Sequence, residues 1–208
     1  MGFKRLIAWL VVTVPCLLMA GGTPVSSALI EKFEAMFDEA SELSEPEKLK
    51  YVNDFFNSNI RFINDQALWK TKDYWATPYE SLQRRAGDCE DYSLAKYFSL
   101  VKAGVPPEKL RIMYVKAVEL RQAHMVLTYY SEPSAMPVVL DNLIGEIKPA
   151  NQRKDLVPVY SFNATGFWLN KMSGKTIKLG NASRVSMWSE FIDRMAENDP
   201  LELLKYPQ

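Results

Sequence analysis

The stretch "AGDCEDYSLAKYFSL", Ala86–Leu100, has the pattern of a helix that begins at its fourth residue and is then buried. Asp88 is a residue type that favours the N-cap position, and Asp91 follows three residues later, as in a capping box. Apolar side chains then recur at helical spacing, at Leu94, Tyr97, Phe98 and Val101. Cys89 would be the first helical residue, among carboxylates that oppose formation of a thiolate.

Helix-terminating residues follow this stretch, and two further predicted helices precede it. Gly104 can close the helix, because glycine accepts the left-handed conformation that often follows a helix, and two prolines come after it. Two earlier segments also repeat apolar residues at helical spacing. They are "SALIEKFEAMFDEA" (27–40) and "SEPEKLKYVNDFFNSNIRF" (44–62). The second opens with Ser44 three residues before Glu47, a second capping-box pattern.

The apolar period changes after the central helix. Four segments rich in branched and aromatic residues predict strands. They are "LRIMYVKAV" (110–118), "AHMVLTYY" (123–130), "MPVVLDNL" (136–143) and "LVPVYSFNATGFWLN" (156–170), the last with a turn at 162–166. The segment "MWSEFIDRMA" (187–196) returns to helical spacing. Helices followed by an antiparallel meander predict an α+β domain.

The N-terminus predicts export. Lys4 and Arg5 precede an apolar run, Leu6–Ala20, and small residues follow it, which is the pattern of a secretory signal. We predict a signal peptide over residues 1–28, cleaved after Ala20 or Ala28, and a single domain over residues 29–208. A membrane anchor is the alternative, but the run is short for a span of about 20 residues.

Composition limits the function classes for the mature chain. Without Lys4 and Arg5 it holds 23 cationic and 25 anionic residues, a net charge of −2, and no basic stripe indicates nucleic-acid binding. No further apolar run is long enough to insert in a membrane. Cys16 leaves with the signal, so Cys89 remains as a single thiol, whereas exported proteins usually pair their cysteines. Such a thiol is either buried and inert or functional.

The chain has one histidine, His124, on a predicted strand. A lone histidine is often structural, but here the one imidazole and the one mature thiol form a candidate nucleophile–base pair. A hairpin turn centred between Glu132 and Pro133 would place Asp141 directly opposite His124. Asp141 could then orient the imidazole, as the acid of a catalytic triad does; otherwise it is an aspartate at a strand end. A helix N-terminus and an imidazolium would both favour the Cys89 thiolate.

At this point the chain resembles a known family. The segments "DYWATPYESLQRRAGDCEDYSLAKYF" (73–98), "AHMVL" (123–127) and "VLDNL" (139–143) are similar to the bacterial transglutaminase-like cysteine proteinases. The resemblance implies a papain/transglutaminase-like fold, in which N-terminal helices with the nucleophile at a helix start pack on an antiparallel sheet. It also implies that Cys89, His124 and Asp141 are the catalytic residues.

The resemblance carries further expectations about biology. It implies a calcium-dependent periplasmic endopeptidase that cuts a large cell-surface adhesin near its N-terminus, at a pair of alanines, and so promotes biofilm dispersal. It implies a regulatory partner, the periplasmic domain of an inner-membrane cyclic-di-GMP receptor. Two alternatives are open: a transglutaminase-type acyl transferase, and a non-catalytic calcium-binding module.

The acids beside Cys89 have two readings. By the resemblance, Asp88 and Glu90 bind calcium, a cation that prefers carboxylate oxygens, and Asp91 adds a further ligand. Alternatively, Asp88 only caps the helix, and the other two acids interact with its positive end. Trp75, fourteen residues before Cys89, is expected either to line the substrate groove or to lie in the core.

Overall fold

The computed structural model describes residues 27–170 and 176–198. Six α-helices lie in this part of the chain: α1 (Ser27–Ser41), α2 (Glu45–Asn59), α3 (Asp65–Leu68), α4 (Pro78–Arg84), α5 (Cys89–Lys102) and α6 (Ser186–Asn198). The predicted signal segment lies outside the described residues, apart from its last two, which open α1. Among the helices described, none has the length and apolar character needed to cross a membrane.

Nine strands complete the described structure. They are β1 (Arg61–Phe62), β2 (Ala86–Gly87), β3 (Leu110–Ala117), β4 (Gln122–Tyr129), β5 (Val138–Leu140), β6 (Lys148–Pro149), β7 (Leu156–Asn163), β8 (Gly166–Asn170) and β9 (Thr176–Gly180). β1 and β2 form a short parallel pair. The other seven form one antiparallel sheet in the order β6-β5-β4-β3-β7-β8-β9.

The predicted α+β class is therefore confirmed, with one difference in topology. The chain does not run as one meander, because it crosses from the edge strand β6 back to β7, which pairs with β3. β3 and β4 consequently lie in the interior of the sheet, with neighbours on both sides. The strand that carries His124, β4, therefore has a hydrogen-bonded strand on each side.

The helix boundaries follow from the predicted caps. At α2, the Ser44 N–H donates to Glu47 Oε2 (2.9 Å), which is half of the predicted capping box. At the end of α5, Gly104 has φ +88°, and the Gly104 and Val105 N–H groups donate to Val101 and Leu100 carbonyls (2.9 Å each). This is the αL closure for which a glycine is favoured.

The α5 helix is the centre of the core. All its residues from Asp91 to Val101 are buried, and it packs along β4 on one side and against α2 on another. The Phe98 ring stacks on Trp188 of α6, with ring centroids 5.9 Å apart. A helix enclosed on every side is held by the burial of apolar area, about 25 cal/mol per Å², more than by its intrinsic propensity.

The β4–β5 register differs from the prediction. A turn centred between Glu132 and Pro133 would pair Leu127 with Val138, but Leu127 pairs with Leu140. The reason is a turn one residue later, closed by the Ala135 N–H and the Glu132 carbonyl (3.0 Å), with Pro133 in its second position. Because side chains alternate along a strand, a two-residue shift keeps the same faces together.

Candidate active site

Cys89 lies at the start of the central helix and is half-buried. It lines a cleft of about 1050 Å³ together with His124 and the acids Asp88 and Glu90. The backbone N–H of Met125, the neighbour of His124 on β4, favours the anion of the thiol and so acts to lower its pKa. The structure therefore brings the only imidazole and the predicted nucleophile to one cleft.

Asp91 fixes the position of this helix start. Its side chain is fully buried; Oδ1 accepts from the Ala76 N–H (2.7 Å) and Oδ2 from the Asp88 N–H (3.0 Å). Gly87 permits the close approach, because a Cβ there would lie 2.7 Å from Asp91 Oδ2. One carboxylate thus ties together the segments before α4 and before α5.

The electrostatic environment of the thiol is unfavourable for a thiolate. Burial raises the pKa of Cys89, and the Glu90 and Asp88 carboxylates raise it further. The Cys89 thiol donates to Glu90 Oε2 at 3.0 Å, which stabilises the protonated form. In the absence of a counter-charge near Glu90, this arrangement keeps the sulfur neutral.

His124 and Asp141 form the contact that the sequence predicted, although the two residues are diagonal to each other across β4 and β5. His124 is 3 % exposed, and its Nε2 lies 2.8 Å from Asp141 Oδ1. An ionised carboxylate only accepts hydrogen bonds, so Nε2 carries the proton and Nδ1 is left as the basic nitrogen. Asp141 follows the last residue of β5, so the shifted register places it diagonal to His124 and not directly opposite it.

Arg153 completes this network and was not predicted from the sequence. It is almost fully buried, and its Nη2 donates to Asp141 Oδ2 at 2.6 Å and to Asp155 Oδ2 at 2.7 Å. Burial alone would raise the pKa of Asp141, but hydrogen bonds from His124, the Leu143 N–H and Arg153 outweigh it and lower the pKa to about 2. Asp141 is therefore a fixed anion at every physiological pH.

A second buried cation lies in the same region. Lys96 is on α5 and has no hydrogen-bond partner for its Nζ among the described residues. Burial lowers its pKa to about 7, while the negative charge of Asp141 acts in the opposite direction. No periodic pattern in the sequence distinguishes Lys96 or Arg153 from surface cations, which is why both were missed.

The acids beside Cys89 belong to a cluster of five carboxylates. Ligand oxygens of Asp65, Asp88 and Asp91 lie within 4.8 Å of one another, as do those of Asp65, Asp73 and Glu90. Burial and neighbouring carboxylates raise the pKa of Asp65 to about 6, and they raise the pKa values of Asp88 and Asp91 as well. Like charges this close are stable only when protonated or when a cation binds.

Two oxygens of this cluster have no hydrogen-bond partner among the described residues. They are Asp65 Oδ1 and Asp88 Oδ1, and both are buried. A buried acceptor without a donor is costly, and a hard divalent cation would satisfy both oxygens. The residues therefore fit a calcium ion, and they include Asp65 and Asp73, which the sequence analysis did not single out. Asp73 opens the quoted family segment, whereas nothing marks Asp65.

Trp75 was expected either to lie in the core or to line the substrate groove, and its position fits parts of both expectations. It is buried and stacks on Phe162, with ring centroids 5.8 Å apart, so it belongs to the core. It also lines the Cys89 cleft. Its role in substrate binding stays a prediction.

Comparison with known proteins gives consistent matches for this fold and site. The family model for the bacterial transglutaminase-like cysteine proteinases matches residues 31–172. Among solved structures, Legionella pneumophila LapG is 38 % identical, with a TM-score of 0.72, and the match covers 81 % of this chain and 88 % of that one. No curated protein sequence matches the chain.

Two further structures of the Legionella protein differ in their treatment. The EGTA-treated form is 38 % identical over 81 % of this chain and 88 % of that one, with a TM-score of 0.73. The calcium-bound form is 36 % identical over 83 % of this chain and 92 % of that one, also with a TM-score of 0.73. The family match and these structural matches, over a cleft that holds one cysteine and one histidine, show that this chain belongs to the bacterial transglutaminase-like cysteine proteinase family.

Proposed function

We propose that this protein is a calcium-dependent cysteine endopeptidase with Cys89 as nucleophile, His124 as general base and Asp141 as the acid that orients the base. One observation carries the proposal: Cys89 begins α5 in the same cleft as His124, whose Nε2 is held by a buried carboxylate. With Nε2 occupied, Nδ1 is the nitrogen that takes the thiol proton. The Cys89 N–H, at the first helical position, is a donor for the oxyanion that forms on attack.

Arg153 acts through Asp141 and does not contact the reacting atoms. Its hydrogen bond and charge hold the carboxylate ionised and in one orientation, which fixes the tautomer of His124. It is therefore a positioning residue in the proposed reaction.

The proposed calcium site is the acidic cluster. Asp88 and Glu90 are the central ligands, and Asp65, Asp73 and Asp91 lie close enough to contribute. A divalent ion there would neutralise the carboxylates that now raise the pKa of the thiol and would compete for the Glu90 oxygen that accepts its proton. The calcium-bound and EGTA-treated structures of Legionella pneumophila LapG support this assignment.

The proposed substrate is the N-terminal region of a large cell-surface adhesin, cut at a pair of alanines, with release of the adhesin and biofilm dispersal as the result. The open cleft supports a polypeptide substrate, since the exposed apolar side chains of Phe62, Leu120 and Leu143 line it. The proposed regulatory partner is the periplasmic domain of an inner-membrane cyclic-di-GMP receptor. Both proposals rest on the family resemblance.

For the triad, we expect Cys89→Ala and His124→Ala to abolish cleavage of an adhesin N-terminal segment while circular dichroism shows a folded protein. Asp141→Asn should lower kcat by about 10⁴-fold, because the imidazole loses its orienting acid. Mass analysis of the products, with and without an added amine, separates hydrolysis from acyl transfer. Substantial cleavage by folded Cys89→Ala would contradict the assignment.

For Arg153, replacement by Met should lower kcat/KM by roughly tenfold to a hundredfold, because Asp141 loses a donor and its position loosens. The pKa of Asp141 should rise, so the acid limb of the kcat/KM profile should move to higher pH. Arg153→Lys should restore part of the rate. Lys154→Met, an exposed neighbour, is the matched control. An unchanged pH profile with only lower stability would show a purely structural role.

For calcium, chelation should stop cleavage and added calcium should restore it, whereas magnesium should substitute poorly because it requires tight octahedral geometry. Asp88→Asn and Glu90→Gln should weaken calcium binding in calorimetric titration, and the exposed Asp193→Asn should not. Full activity in chelator with no heat of binding would refute the site.

Unfolding gives a second measurement of the calcium site. In the chelated protein the raised carboxyl pKa values mean that the folded state holds protons that the unfolded state has released. The free energy of unfolding should therefore fall as the pH rises from about 4 to about 8. Calcium should remove most of this slope. A slope that is the same with and without calcium would contradict the assignment of the cluster.

For location, we expect the mature chain to begin after Ala20 or Ala28 and to be recovered from the periplasm. Mass spectrometry of the protein from a fractionated culture measures both. A full-length chain in the membrane fraction would favour an anchor.

A further inference from the structure

A second concave site lies on the face of the sheet opposite the central helix. Leu110 and Ile112 of β3 pack in the helix-side core. Because successive side chains of a strand point to opposite faces, Arg111 and Met113 point to the other face of the sheet. There they line an open groove of about 580 Å³. This outer-face groove is defined by Arg111, Tyr130, Met136, Trp168, Asn170 and Lys178. Within the described part of the chain, it shares no lining residue with the Cys89 cleft.

The groove is organised around a stacked guanidinium. The Arg111 guanidinium carbon lies 4.2 Å from the centroid of the Trp168 ring and 4.5 Å from that of Tyr130. Lys178 Nζ lies 5.5 Å from the centroid of the same indole. Aromatic rings near the guanidinium restrict its orientation and leave its N–H edge as the part that can bind a ligand.

Two donors in the groove lack acceptors. Arg111 Nε and Asn170 Nδ2 are buried and have no hydrogen-bond partner among the described residues. The Asn170 carbonyl oxygen accepts only long hydrogen bonds, from Ser161 Oγ (3.5 Å) and Thr176 Oγ1 (3.4 Å). Among the described residues, no carboxylate lines the groove to neutralise its cations. Unsatisfied donors beside two cations are complementary to an anion with several acceptor oxygens.

The remaining walls are apolar. Pro133, Pro137 and Pro158 line the groove, and Met136 at its rim is 57 % exposed. Proline and methionine contribute no hydrogen-bond donor, so these walls contact aliphatic groups of a ligand and not its charge. A free inorganic anion would leave them uncovered, whereas a chain that carries carboxylates beside apolar side chains would cover both parts of the site.

We propose that the outer-face groove binds an acidic peptide segment, with a carboxylate on Arg111, Asn170 and Lys178 and the neighbouring apolar side chains on the proline and methionine walls. The groove is opposite in charge to the Cys89 cleft, which Asp73, Asp88 and Glu90 line. The groove cations Arg111 and Lys178 would attract an acidic segment. The proposal does not depend on the proteolytic activity.

The test uses the mature chain with Cys89→Ala and calcium present, so that no probe is cleaved. The probe is an acetylated, amidated hexapeptide of alternating leucine and glutamate, and the glutamine version is its neutral control. Binding is measured by calorimetry and by the indole N–H signal of Trp168 in NMR spectra, assigned with Trp168→Phe. Acetate and inorganic phosphate are tested as free anions.

We expect the acidic peptide to bind and to shift the Trp168 signal, and the glutamine peptide to bind at least about tenfold more weakly. Arg111→Met should weaken binding by a similar factor, and Lys116→Met, which removes an exposed cation from the same strand, should not. Asn170→Asp is isosteric and keeps the hydrogen-bonding oxygen, so it tests the groove without a packing change; it should weaken binding by repulsion.

Three results would overturn the proposal. One is the absence of binding at millimolar peptide, which would leave Arg111 as a structural stacking residue. Another is that the Arg111→Met and Asn170→Asp variants bind the acidic peptide as tightly as the protein with both residues intact. The third is tight binding of phosphate or acetate with no gain from the peptide, which would make the groove a small-anion site.

Discussion

The buried carboxylate of Asp91 is the interaction on which the site depends. It accepts the backbone N–H groups of Ala76 and Asp88, and so fixes the first turn of α5 against the segment that leads into α4. Because α5 is enclosed by the sheet and the other helices, its axis cannot move without disturbing the whole core. The position of Cys89 is thereby set by the most constrained part of the molecule. The absence of a side chain at Gly87 makes this geometry possible.

The charges around Cys89 are arranged in two opposed groups. On one side, five carboxylates lie close together, and burial and neighbouring negative charges raise the pKa values of Asp65, Asp88 and Asp91. On the other, Asp141 is surrounded by donors that lower its pKa to about 2, with Arg153 buried beside it. The negative charge of Asp141 is balanced by Arg153 and by hydrogen-bond donors, whereas no cation balances the carboxylates of the first group among the described residues. This contrast explains why a cation fits beside the acids next to the thiol, while Asp141 needs no cation other than Arg153.

The seven-stranded sheet separates two sites of opposite charge. The helix-side cleft is lined by acids, and the outer-face groove is lined by cations stacked near aromatic rings. Both sites depend on the same two interior strands, β3 and β4, because each strand presents alternate residues to opposite faces. Because the chain crosses over to place β7 beside β3, β3 has a neighbouring strand on each side while its residues alternate between the two faces.

The sequence by itself determined the α+β class, the capped starts of α2 and α5, the αL closure at Gly104 and the position of Cys89 at a helix start. These features depend on local capping and periodicity, which act over a few residues. It also brought His124 and Asp141 together, although through a register that was wrong by two residues. That error was harmless because strand faces repeat every two residues.

Only the tertiary structure decided the rest of the site. Arg153 reaches Asp141, and Asp65 and Asp73 join the acids beside Cys89, through contacts between segments far apart in sequence. Likewise, the outer-face groove combines Arg111 and Trp168 from different strands. No local pattern distinguishes a buried arginine or aspartate from a solvated one. What distinguishes them is which chain segments pack together, and the burial of the whole core sets that packing.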